Sequence, residues 1–115
     1  MKSLIEETLE SLNEYLPKLI EGCKEVSRDL QTGNEAAALD KLPLVLEGLE
    51  WVTEAIGGIK NNGRSINVDE KALIPFLLDM EGALEIGDYV LVADLFEYEI
   101  APILEQWIEA LLPVN

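Results

Sequence analysis

An all-α fold is predicted by this sequence: a four-helix bundle of antiparallel, proline-kinked helices in a single domain over residues 1–115. Three observations carry the prediction. Apolar residues return at alternating four- and three-residue steps, as Ile5, Leu9, Leu12, Leu16, Leu19, Cys23, Val26 and Leu30, then as Ala38, Leu42, Val45, Leu49, Val52, Ile56 and Ile59. Such spacing lays one apolar stripe along a helix, which is buried by packing helix on helix. The chain is 49% hydrophobic over 115 residues, enough to bury one real core. Glycines and capping residues then divide it into four periodic stretches.

The first helix is expected over 3–31, with Gly33 placed to end it in a left-handed cap. Thr32 and Glu35 have the spacing of a capping box, which opens a second helix over 34–56. Gly57 and Gly58 are expected to stop it, and residues 58–67 read as a polar connecting loop. Asn67 with Glu70 repeats the capping spacing ahead of a third helix, 68–86. Asp88 caps a fourth, 89–112, which Pro113 closes. Within it YVLVA at 89–93 has the composition of a strand. Helix wins there because the apolar period runs on through Phe96, Ile100, Ile103, Trp107 and Leu111.

Pro17, Pro43, Pro75 and Pro102 fall one to a helix. An interior proline removes a backbone hydrogen bond and crowds the preceding turn, at about 3 kcal/mol or more. Four bent helices, or eight shorter ones with proline near each N-terminus, both fit. The stripe that continues across Pro17 favours a bend. LPKLIEG at 16–22, LPLVLEG at 42–48 and IPFLL at 74–78 look alike. Two similar helical hairpins explain this, and so does chance likeness among leucine-rich helices.

The net charge is −15, from 23 acids and 8 bases. Nucleic acid and anionic membranes would repel such a chain, whereas a basic protein surface would attract it. All 8 bases lie in residues 1–71, beside 14 acids; residues 72–115 hold 9 acids and no base. Cations for the last two helices must come from the first half of the chain or from another molecule. Cys23 is the only cysteine and sits on the apolar stripe, so it is expected to pack as a small hydrophobe. Glu6 and Glu7 interrupt the N-terminus before a signal-peptide apolar region could form, and a cytoplasmic protein is expected.

Residues for chemistry are scarce. The segment 58–65 approaches a phosphate-binding loop, but arginine stands where lysine belongs and a helix precedes it instead of a strand. Carboxylate-bridged iron sites in bundles use histidine, which this chain lacks, and zinc would find one cysteine. Asp79, Glu81, Glu85 and Asp88 lack the alternating oxygen ligands of a calcium loop. Ser3, Ser11, Ser27, Ser65 and Cys23 have no histidine to activate them. No catalytic residue, cofactor or metal is therefore assigned, and a non-enzyme is expected.

What remains are two secondary stripes. In the fourth helix Leu91, Leu95, Tyr98 and Pro102 lie roughly 150° from the core line, bordered by Asp94, Glu105 and Glu109. In the second, Leu44, Gly48, Trp51 and Ala55 lie roughly 130° from theirs, with Gly48 leaving a notch between bulky neighbours. Each stripe packs on a second neighbour within the bundle, or else forms an acid-rimmed surface for a basic amphipathic helix. On the second reading Leu44, Trp51, Leu91, Leu95, Tyr98, Asp94 and Glu105 bind the partner. Trp51 and Tyr98 would anchor it, and a second copy of the chain is an alternative partner.

The stretch EIGDYVLVADLFEYEIAPILEQW at 85–107 resembles the C-terminal segment of small, uncharacterised helical bacterial proteins. By size, acidity and helix content the chain is also similar in type to export chaperones of the flagellar and type III secretion kind, which hold a partner's terminal helix. The resemblance implies a chaperone or regulator, acting through protein–protein contact. The alternative is an acidic mimic of nucleic acid that blocks another protein's basic site. Salt separates them, because mimicry weakens steeply with ionic strength and apolar binding does not.

Overall fold

Leucine stripes of this length bury themselves by running helices side by side, and the computed structural model, which describes residues 2–112, has that form. Helix α1 spans Leu4–Gln31, α2 Glu35–Asn61, α3 Ile74–Glu85, α4 Tyr89–Asp94 and α5 Ala101–Leu111. A 3₁₀ turn, Glu70–Leu73, leads into α3, and a π-helical turn, Leu95–Ile100, joins α4 to α5 into one continuous rod. The fold is an all-α bundle of four rods, and no strand occurs among the described residues. YVLVA is helical.

The stripes of the first half are the core. Leu12, Leu16, Leu19, Cys23 and Val26 are buried, and so are all seven of the second run, Ala38 to Ile59. Ile5, Leu9 and Leu30 pack half-buried at the ends. Helix α1 is the hub. On one side it meets α2, where Lys41 pairs with Asp29 at 2.8 Å and Trp51 meets Tyr15 edge to face. On its other side it meets the last rod. Gln31 donates to Glu97 at 2.7 Å, Lys24 pairs with Glu105 at 3.1 Å, and Asn13 donates to the Leu111 carbonyl at 3.3 Å. Positions rise along α2 and along the last rod as they fall along α1. Buried Ser27 closes its own account by donating to the Ala93 carbonyl at 2.9 Å.

Helix ends follow backbone chemistry, with corrections to the expected bounds. Ser3 accepts from the Glu6 N–H and Asp88 from the Leu91 N–H. Gly33 (φ 82°) ends α1 as expected, with Asn34 N–H bonded to the Asp29 carbonyl and Gly33 N–H to that of Leu30. The Thr32–Glu35 box does not form; Asn34 is the N-cap and makes no side-chain cap bond. Helix α2 passes through Gly57 and Gly58 and stops at Gly63 (φ 93°). Asn67 does not cap the third helix either. Asp69 accepts from the Lys71 N–H, and the α-helical turns begin only at Ile74.

The prolines take three roles. Pro17 and Pro43 lie inside α1 and α2 without ending them, and both face solvent, where water can serve the carbonyl left without a partner. Pro75 sits in the first turn of α3, where its missing N–H costs nothing. Pro102 follows the π turn. Its ring would press on the Tyr98 carbonyl in a regular helix, and the wider turn, with Ala101 N–H bonded to Phe96, relieves that clash. The extra residue shifts the register. Leu104 is fully buried, and Ile103, expected in the core, is only partly so.

Lys60 at the end of α2 bonds Glu70 at 2.7 Å, fixing the 3₁₀ turn. The hydrogen bond from Lys60, then one from the backbone, hold the Glu70 carboxyl below its ordinary value. A depressed carboxyl stabilises above its unfolded pKa of about 4.3 and loses that contribution as pH falls through its folded value. Glu70→Gln is therefore expected to cost about 0.5–1 kcal/mol at neutral pH. In urea unfolding, the gap between wild type and variant should close on acidification past the carboxylate range; a gap undiminished at about pH 2 would detach the effect from the ion pair.

Candidate functional site

Helix α3 has twelve residues against the 27 of α2, and it leans on α4 and the π turn. The backbones of α2 and α3 seldom approach closely, so the bundle is open along that seam. A groove of about 560 Å³ results, lined by Leu46 and Thr53 from α2 and by Leu77, Met80 and Leu84 from α3. The Thr53 hydroxyl already donates to the Leu49 carbonyl at 2.8 Å, which leaves the floor without an unmet donor. Glu50, Glu54 and Glu81 also line the groove. None of the three is in an ion pair among the described residues.

The apolar surface continues over the rim. Ile74 and Leu78 are 47% and 63% exposed, and α3 places them beside Leu77 and Glu81. A leucine of that exposure is ordinary alone; here Ile74 and Leu78 border the groove's Leu77 and Glu81.

A second cleft, about 550 Å³, lies between α1 and α2 and is lined by Glu14, Tyr15, Lys18, Leu44, Glu47 and Trp51, with Ser11 and Gly48. The Gly48 notch is real, and the chain fills it. Tyr15 lies over Gly48 so closely that a Cβ there would collide with its hydroxyl. Burial, followed by the nearby Cys23 and Glu47, makes that phenol harder to ionise than an ordinary tyrosine.

The expected partner-binding residues divide. Leu44 (69% exposed) and Trp51 (42%) share the α1–α2 cleft. Leu91, Asp94, Tyr98 and Glu105 are exposed on the last rod and line neither cleft, and Glu105 is engaged by Lys24. Leu95 is a correction. It is 5% exposed and belongs to the core, because it lies three residues, one helical turn, beyond buried Val92 and so shares its face. The α2–α3 groove was missed. Its signal is a third line on α2, with Leu46, Glu50 and Thr53 at steps of four and three.

Reactive groups do not converge here. Burial pushes the Cys23 thiol up to about 12, so it stays protonated at neutral pH. Among the described residues no three acids or cysteines stand close enough to grip a metal. No helix among them is long and apolar enough to cross a membrane.

Fold and surface together define an acidic helical-bundle protein with an open apolar seam. The chain belongs to the family described as Domain of unknown function (DUF8042), whose sequence model matches residues 7–110, in keeping with the resemblance to an uncharacterised family. No curated protein and no solved structure matches it.

Proposed function

We propose that the protein is a non-enzymatic interaction module of the cytoplasm, a chaperone or regulator that holds a basic amphipathic helix in the groove between α2 and α3. The observation that carries this reading is the open seam itself, an apolar floor bordered by carboxylates that are in no ion pair among the described residues. A helix laid there would complete the packing that α2 and α3 leave undone, with apolar side chains at i, i+3, i+4 and i+7 on the floor. Lysine or arginine on its flanks would meet Glu50, Glu54 and Glu81. A second copy of the chain would bring like charge to the same rim, which disfavours self-association.

The test is titration of a labelled basic amphipathic peptide, read by anisotropy. Leu77→Asp is expected to weaken binding by about tenfold or more, since fully burying a leucine contributes roughly 1.5–3 kcal/mol. Leu78→Asp, at a more exposed site, should weaken it with helicity intact. Binding unchanged by both variants would refute the groove. The base-free second half also suits a nucleic-acid mimic. Raising salt from about 0.1 M to about 1 M shortens the screening length from about 10 Å to about 3 Å. Groove binding should largely survive that change and mimicry should not.

A further inference from the structure

The α1–α2 cleft lies on the opposite flank of α2 from the groove and has different chemistry. Tyr15 and Trp51 meet edge to face, with ring centroids 5.5 Å apart and planes at 88°, and so form two walls of a corner. The corner is set by packing, because Gly48 seats the Tyr15 hydroxyl against α2. Trp51 nevertheless remains 42% exposed. Glu14, next to Tyr15, and Glu47, one turn before Trp51, line the same cleft. Neither is in an ion pair among the described residues, and neither is Lys18, the one cation there.

We propose that this corner is a binding site for a guanidinium group, as carried by an arginine side chain. An aromatic face attracts a cation, and tryptophan does so most strongly. Guanidinium is planar, so it can stack on the indole while its fork of N–H donors reaches a carboxylate. An ammonium such as Lys18 is a compact, strongly hydrated charge that offers no plane to stack. Lys18 pairs with neither glutamate, and its like charge in the same cleft opposes an entering cation. The site is independent of the α2–α3 groove, and Leu77→Asp should leave it intact.

The experiment follows the two indole N–H signals by NMR while ethylguanidinium is added to the full chain. Trp51 is expected to shift saturably in the millimolar range, while Trp107, 4% exposed in the core, stays still. N-ethylurea, planar and neutral, should give no saturable shift. Glu14→Gln with Glu47→Gln should weaken binding about fivefold, and Lys18→Gln should strengthen it. Capped N-acetylarginine methylamide binding at least as well as free arginine would assign the group to a peptide; preference for free arginine would assign it to a small metabolite. A Trp51 signal unmoved by ethylguanidinium, an equal response to the urea, or indifference to the double glutamine change would each overturn the site.

Discussion

Phe96→Ala is expected to lower the free energy of unfolding by about 3–5 kcal/mol, the usual cost of a phenylalanine-sized void. Phe96 has no solvent exposure and lies on the π turn, where the last rod meets both α1 and α3. Whole domains are stable by only about 5–15 kcal/mol, so this one change should remove a large share. Two residues on, Tyr98 is 65% exposed, and Tyr98→Asp should move stability by no more than about 0.5 kcal/mol. Urea unfolding of the two variants checks the contrast. If Tyr98 proved costly and Phe96 cheap, the rod would be rotated from its described register.

Glycines inside the helices supply the second large effect, with opposite signs at different sites. In a helix interior alanine is favoured over glycine by about 0.5–1 kcal/mol. At Gly57, Gly58 and Gly82 a Cβ meets nothing within 4 Å, so each alanine should contribute that gain. The three together should add roughly 1.5–3 kcal/mol, less any coupling between the adjacent pair. At Gly48 the new Cβ would collide with the Tyr15 hydroxyl and approach Leu19 Cδ1 to 2.8 Å. Overpacking costs typically about 1–3 kcal/mol, which outweighs the helix gain, so Gly48→Ala should destabilise. It should also unseat Tyr15 and disturb the Tyr15–Trp51 corner. Thermal unfolding of both sets gives the signs.

The sequence was most legible where the apolar period runs unbroken. Leu12 to Val26 and Ala38 to Ile59 could be placed in the core because nothing disturbs the spacing of four and three. Gly57 and Gly58 misled, since propensity is a local term. Each glycine costs about 1 kcal/mol, whereas burying a residue such as Ile59, 3% exposed, contributes roughly 1.5–3 kcal/mol and carries the helix through. Ile103 is only partly buried because of the extra residue in the turn ahead of Pro102, which a fixed 100° step cannot represent, whereas Leu95 is buried because the core face of the last rod is wide enough to take both Leu95 and Phe96. The groove escaped notice because it is a relation between α2 and α3. No single helix's pattern records how far apart two helices stand.

The wide turn at 95–100 has one more consequence. It makes the last rod a single residue longer than a regular helix joining the same two contact faces. A chain shortened by one position in that stretch, with Pro102 also replaced so that no ring presses on the preceding turn, could wind evenly and still offer Phe96 and Trp107 to α1 on a common side. Elsewhere in the bundle the same excision would swing every later side chain by about 100°. Here the slack is already built in.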